Sequence, residues 1–387
     1  MGYVMDTYSR LPVVIERGHG CRVWDDSGRD YLDMVAGIAV CNLGHTHEHV
    51  VEALRLQAGE LFHCSNLYRI RKQETLAGLI ADVSFESRVF FCNSGAEANE
   101  GAIKLARRYG STLSKRGPKI VTLEGSFHGR TLATLTATGQ DKVKKGFEPL
   151  PEGFLTVPFG DLGALEKALD DTVGAVLMEP IQGEGGVRIP PAGYLQGARK
   201  LCDERGILLM FDEVQTGMGR TGELFAYQHE KVTPDVMTLA KALGNGFPVG
   251  AVVARPGVAE AFSPGSHAST FGGNPLAMAA CLATLSVMID EGIPQKGREA
   301  GQYLMRSLNE MKSHHPAIRE VRGRGLMIGV ELDGDIASLP LDGLKKGILL
   351  NVIQGRILRL VPPLVISRDE CDEALAIIHE LLKEKGL

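Results

Sequence analysis

The sequence predicts an α/β protein whose main sheet is largely parallel and covered by helices on both faces. Three observations carry that expectation. Short runs such as Arg88-Val89-Phe90-Phe91-Cys92, apolar after its first residue, and Ile207-Leu208-Leu209-Met210-Phe211 read as buried strands with continuous instead of alternating apolar residues. Segments of helical spacing stand between such runs. Glycine is in excess, at 47 of 387 residues or about 12% against a usual ~7%, and clusters just after the apolar runs.

Taken in order, residues 13–35 hold short strand-like pieces around the turn signal Asp25-Asp26-Ser27-Gly28. Arg88–Cys92 is a strand, and a helix follows from Gly95, carrying Ile103, Leu105 and Ala106. Further β-rich runs are Lys119–Leu123, Gly174–Met178, Ile207–Val214, Asp235–Leu239 and Ala251–Ala254. Pro191–Arg205 has helical spacing at Leu195, Ala198, Leu201 and Cys202, with Gly206 as its stop. Leu326–Leu332 and Ile357–Val361 read as strands with a helix between them. Ser367-Arg368-Asp369-Glu370 is a capping box opening a last helix with Ala374, Ile377, Ile378, Leu381 and Leu382 on its apolar stripe. The expected division is a large domain at 45–289 and a smaller α/β domain from both termini, 1–44 and 290–387.

Composition narrows the function. A chain of 387 residues allows two or three domains at ~100–200 residues each. With 44% hydrophobic and 23% charged residues it is ordinary globular material, neither disordered nor coiled coil. The formal charge of -5 leaves no basic excess to gather nucleic acid or a membrane surface. Seven scattered cysteines with no C-x-x-C pair argue against a disulfide framework or a thiolate metal site and fit a reducing cytoplasm. Met1–Asp6 has no signal-peptide pattern, and no apolar run approaches the ~20 residues that span a bilayer.

Two motifs mislead. Gly217-Met218-Gly219-Arg220-Thr221-Gly222 matches the dinucleotide pattern G-x-G-x-x-G after a strand, but no amphipathic helix opens after it. His45, His47 and His49 alternate, yet residues two apart diverge on a helix, so local capping is preferred over a metal site.

Three features survive. Asp212 closes a five-residue apolar strand, at the sheet edge where open α/β sheets bind ligands. Lys241 stands between alanines, after another apolar run and before Gly244-Asn245-Gly246, where desolvation would lower an amine's pKa and make it a nucleophile, although a lysine snorkelling from a loop explains the position alone equally well. Asn93-Ser94-Gly95-Ala96 joins a strand to a helix start, a cradle for an anion, although a plain Ser94 N-cap explains part of it. Pyridoxal 5'-phosphate needs all three: a lysine for its aldehyde, an acid for its ring nitrogen and an anion site for its phosphate.

At these residues the chain resembles the class III (ω-amino acid type) aminotransferases of fold type I. The motifs are Tyr31-Leu32-Asp33, Leu43-Gly44-His45, Asn93-Ser94-Gly95-Ala96-Glu97-Ala98-Asn99, Ser126-Phe127-His128-Gly129-Arg130-Thr131 and Glu179-Pro180-Ile181-Gln182-Gly183-Glu184-Gly185-Gly186. They continue through Phe211-Asp212-Glu213-Val214-Gln215-Thr216-Gly217, Leu239-Ala240-Lys241 and Ser269-Thr270-Phe271-Gly272-Gly273-Asn274-Pro275. The resemblance implies a seven-stranded, mostly parallel sheet. It makes Lys241 the cofactor-bound lysine and Asp212 the partner of the ring nitrogen, with Val214 and Phe127 on the two ring faces. Gln215 would meet the 3-hydroxyl, while Ser94, Gly95 and Ala96 would hold the phosphate. Thr270 would reach that phosphate from a neighbouring subunit, so a homodimer with shared active sites is implied.

The same resemblance assigns the substrate side. Arg359 would fork the α-carboxylate of glutamate, and Glu184 would cover it for a substrate lacking one there. Arg130 would take the carboxylate of N-acetylornithine, and Ser65 and Asn66 would approach from the partner subunit. Ile38 stands where ornithine-specific relatives carry a tyrosine for the free α-amino group, which favours an acylated substrate. The implied reaction passes the terminal amine of N2-acetyl-L-ornithine to 2-oxoglutarate, a step of arginine biosynthesis. Succinylornithine, ornithine and 4-aminobutyrate are the alternative amine donors, and a nicotinamide-dependent oxidoreductase is the alternative class.

Overall fold

The computed structural model describes residues 3–387. Three strands open the chain: β1 (Ile15–His19), β2 (Arg22–Asp25) and β3 (Asp30–Asp33). The middle contributes β4 (Arg88–Cys92), β5 (Lys119–Leu123), β6 (Phe154–Val157), β7 (Val173–Met178), β8 (Leu208–Asp212), β9 (Val236–Leu239) and β10 (Gly250–Ala254). The last are β11 (Ile318–Arg324), β12 (Met327–Leu332), β13 (Ile348–Leu349), β14 (Asn351–Ile353) and β15 (Ile357–Leu360).

The central sheet has seven strands in the order β4-β10-β9-β8-β7-β5-β6. The pairings β9–β8–β7–β5–β6 are all parallel. Strand β10 runs against both of its neighbours, β4 and β9. Every residue of β7, β8, β9 and β10 is buried, as continuous apolar runs require when helices cover both faces. One cover is the helix Gly95–Tyr109, which buries Ala98, Ala102, Ile103, Leu105 and Ala106. The other helix expected from spacing is Tyr194–Arg205, closed by Gly206 at φ +62°. Strand β6 went unread in the sequence. It is a four-residue edge strand of mixed burial, too short for a periodic signal.

Two small sheets flank this core. In one, β13 pairs in parallel with β3, Ile348 opposite Leu32, so the two ends of the chain share the sheet β1-β2-β3-β13. The other is β11-β12-β15-β14, antiparallel throughout, and it brings Gly329 and Asn351 to either side of Arg359. The expected helix between the C-terminal strands is Leu339–Lys346. The capping box forms at the last helix, Arg368–Glu384: Ser367 Oγ accepts from the Glu370 amide at 3.2 Å, and Glu370 Oε2 accepts from the Ser367 amide at 2.8 Å.

The two misleading motifs resolve on geometry. The segment 217–222 opens no helix, and its glycines admit protein instead of a ligand. A Cβ on Gly219 would lie 2.9 Å from Leu364, and one on Gly222 3.0 Å from Arg298. Between them the buried Arg220 donates to the carbonyls of Leu326 and Pro362 at 2.9 and 2.6 Å, joining this loop to the C-terminal segments. His45 turns to Asp33, with Nε2 to Oδ2 at 2.7 Å, while His47 stands at the N-cap of the helix Glu48–Glu60. Hydrogen bonds to Asp33 and Cys41 outweigh burial and hold the His45 imidazole up at about 10, a charged structural clasp. Among the described residues no single helix is long and apolar enough to cross a membrane.

Candidate active site

A cavity of about 390 Å³ opens at the carboxyl ends of the central strands. Ser94, Gly95 and Ala96 line it from the β4 side, Phe127 and Arg130 from the loop after β5, and Glu184 from the loop after β7. Asp212, Val214 and Gln215 follow β8, and Lys241 follows β9. These ten residues, all singled out in the sequence, therefore share one space. Its size lies within the ~300–1,000 Å³ of small-molecule sites.

Asp212 is buried at the last position of β8, and three donors hold it. Its Oδ2 accepts from Asn99 Nδ2 at 2.7 Å and faces His128 Nδ1 at 2.8 Å. Its Oδ1 accepts from the Val214 amide at 3.0 Å. A carboxylate only accepts, so His128 carries its proton on Nδ1. Thr238 Oγ1 on β9 in turn donates to Asn99 Oδ1 at 2.8 Å, locking the amide's orientation. Three donors thus fix both oxygens of the carboxylate and set its direction. The adjacent Glu213 has a different task. It accepts from Thr216 Oγ1 and the amides of Ala226 and Tyr227 at 2.6, 2.9 and 2.8 Å, clamping the loop beyond the strand.

Lys241 begins a single 3-10 turn with its backbone at φ +45°, a conformation a lysine adopts only when its surroundings impose it. Burial pushes its amine down to about 8, against the opposing attraction of Glu184.

The cradle is built from local rules. Ser94 Oγ caps the helix Gly95–Tyr109 by accepting from the Glu97 amide at 3.2 Å. Gly95 leaves room for Val214, since a Cβ there would fall 2.8 Å from Val214 Cγ1. Arg130 is exposed, and its guanidinium lies 5.5 Å from the centroid of the Phe127 ring.

Arg359, on β15, is almost fully buried and meets Glu184 Oε1 at 2.5 Å. Its Nε donates to Asn351 Oδ1 at 2.9 Å, and Nη1 lies 3.5 Å from Gln215 Oε1. Burial alone would raise the Glu184 carboxyl, but Arg359 outweighs it and holds the group below its ordinary value. Arg359 itself does not line the cavity; Glu184 does, and closes an ion pair over it that is worth little as stability yet costly to break on one side only.

Ser65, Asn66 and Thr270 are not in this cavity. They line a second one of about 680 Å³, where Asn66 Nδ2 donates to the carbonyls of Ser269 and Gly272 at 3.1 and 2.8 Å. Ile38 lies in a left-handed turn, at φ +66°, two residues before Val40, which lines the active-site cavity. Asn99, His128, Thr238 and Glu179 had drawn no role from the sequence, although three of them fall inside quoted motifs. Glu179 accepts the amides of Phe127 and Gly183 at 2.9 and 3.0 Å, tying the two loops that flank the cavity.

The donor set matches a phosphorylated pyridine aldehyde: a desolvated amine, an anchored carboxylate, a helix start with small residues, and side chains for two ring faces. Comparison with known proteins agrees. The family described as Aminotransferase class-III matches residues 3–382. The acetylornithine aminotransferase of Caldanaerobacter subterraneus subsp. tengcongensis is 52% identical over 384 residues, 99% of this chain and 98% of that protein. That of Methanopyrus kandleri is 51% identical, over 99% of this chain and 98% of its own length. Among solved structures, the ornithine aminotransferase of Toxoplasma gondii superposes with a TM-score of 0.96 at 37% identity, covering 99% of this chain and 93% of its own. The chain belongs to the class-III aminotransferases, the family its cavity fits.

Proposed function

We propose that this chain exchanges the terminal amino group of N2-acetyl-L-ornithine with 2-oxoglutarate, giving N-acetyl-L-glutamate 5-semialdehyde and L-glutamate, in arginine biosynthesis. The observation that carries it is the ion pair between Glu184, which lines the cavity that also holds Lys241, and the buried Arg359 behind it. With the pair closed, the site accepts a carbon bearing no carboxylate; with it open, Arg359 takes the α-carboxylate of glutamate by a bidentate fork. The relatives named acetylornithine aminotransferase, at 52% and 51% identity over nearly the whole chain, support the choice of amine donor.

Bound there, pyridoxal 5'-phosphate supplies an aldehyde for the amino group and a protonated ring that withdraws electrons. Asp212 holds the proton on the ring nitrogen, its charge kept in place by His128, Asn99 and the Val214 amide. Lys241 would hold the cofactor and, as a free amine, would carry a proton to and from the substrate carbon. Phe127 and Val214 would cover the ring, Gln215 would meet its 3-hydroxyl, and Ser94, Gly95 and Ala96 would take the phosphate; all six line the cavity. Arg130, exposed beside Phe127, receives the far carboxylate of acetylornithine.

A second copy of the chain completes the site. Thr270, Ser65 and Asn66 line a cavity apart from Lys241 in their own chain, which is the arrangement expected if they serve a neighbour's active site. Residues 45–289 form the cofactor-binding domain and 1–44 with 290–387 the smaller one, a division supported by the β3–β13 pairing of the two ends. All seven cysteines are free, in keeping with a cytoplasmic enzyme.

The experiment is a side-by-side measurement of kcat/KM for acetylornithine, succinylornithine, ornithine and 4-aminobutyrate, each with 2-oxoglutarate. Free ornithine should fall at least about tenfold below acetylornithine, because Ile38 offers its α-ammonium no charged hydrogen bond. Equal use of the two would replace the acetyl-specific reading with ornithine as the substrate.

A further inference from the structure

A separate open cleft of about 540 Å³ lies between the 185–191 segment and strands β11, β12 and β15. Three arginines and two glutamates line it, and their pairing is uneven. Arg322 meets Glu320 and Glu331 at 2.7 Å each, and Arg356 meets Glu331 at 3.5 Å. Both carboxylates of the cleft are therefore taken, and Arg188 has no such partner among the described residues. Its guanidinium lies instead 4.4 Å from the centroid of the Phe159 ring and packs over Gly125, where an added Cβ would come 3.2 Å from Nη1. Burial, and then the neighbouring Arg322, work against its charge; Glu124 offsets them only in part and makes no ion pair with it. An arginine cannot answer by deprotonating, so the imbalance is best met by an anion from outside.

We propose that this cleft is an effector site for a small organic carboxylate, with Arg188 as its forked donor and Phe159, Ile189 and Pro191 against its apolar part. The volume suits such a ligand, and an arginine stacked on an aromatic ring is already oriented to bind one. The consequence for catalysis rests on the role proposed for Glu184. Gln354 Nε2 donates to the Gly185 carbonyl at 3.1 Å, and Arg322 donates to the Gly186 carbonyl at 2.8 Å. Both side chains line the cleft, and Glu184 immediately precedes the two glycines they hold. A carboxylate at Arg188 draws on Gln354 and Arg322 as well, and so shifts the Glu184–Arg359 pair.

The test uses the holoenzyme with 4-bromobenzoate as probe. Crystals soaked in it should show a bromine anomalous peak beside Arg188, and calorimetry should show Kd weakened at least about tenfold in Arg188→Gln and less in Arg188→Lys. Unchanged cofactor absorbance in both variants verifies that they are folded. Bromine found only in the active-site cavity, or a Kd unaffected by Arg188→Gln, overturns the site. Saturating probe should also change the ratio of the two half-reaction rates in wild type and not in Arg188→Gln. Binding without that change overturns the link to Glu184, while the active-site reading is judged by its own substrate comparison.

Discussion

Lys241→Ala is expected to abolish transamination while leaving the fold and some non-covalent cofactor binding intact. The alanine removes the one amine that lines the cavity among the described residues, and the residues of the phosphate cradle, Ser94–Ala96, and of the ring faces, Phe127 and Val214, remain. Deleting a residue that both holds the cofactor and moves the proton costs more than either task alone. Borohydride reduction of the wild-type holoenzyme followed by peptide mapping should place the pyridoxyl group on Lys241. A label on a different lysine, or turnover surviving in Lys241→Ala, would sink the assignment.

Asp212→Asn should slow the reaction at least ~100-fold with the cofactor still bound, the low end for removing one preorganised electrostatic partner. The shape is nearly kept and the charge is lost. The amide cannot fit the network perfectly, because each carboxylate oxygen already accepts a hydrogen bond. Whichever way it turns, its NH2 faces another donor, at the Val214 amide or at His128 and Asn99. That conflict costs about 1–3 kcal/mol of stability. Measuring kcat together with Tm separates the two effects: a modest loss in Tm with a hundredfold loss in kcat is expected. Near wild-type turnover would show that Asp212 is a structural acid.

Much of this was legible in the chain because the central strands are buried on both sides. Runs such as Val173–Met178 and Leu208–Phe211 must be apolar throughout, so they and the residues they feed, Asp212 among them, stand out in sequence. Lys241 was legible for the converse reason, a cation among residues that avoid charge. The hairpin strands at the C-terminal end were harder. The β11 sequence Ile318–Arg324 is mostly charged and half exposed, and β13 and β14 are two and three residues long. The network behind Asp212 was hidden for a different reason. Asn99, His128 and Thr238 come from a helix, a loop and a strand, and only the folded sheet makes them neighbours. The unmatched Arg188 is invisible to sequence altogether, since its imbalance depends on which glutamates Arg322 and Arg356 take.

The account stands on one carboxylate sorting two kinds of substrate, and Glu184→Ala tests that most directly. Single-turnover spectroscopy follows the cofactor's absorbance through each half-reaction separately, with acetylornithine or with glutamate. Without Glu184 the buried Arg359 loses its 2.5 Å partner and keeps only Asn351 and the distant Gln215. Glutamate should then react faster and acetylornithine more slowly. Charge-assisted hydrogen bonds of ~1.5–3 kcal/mol set the swing in preference at about one to two decades. Equal slowing of both half-reactions would contradict the account and leave Glu184 as a structural acid.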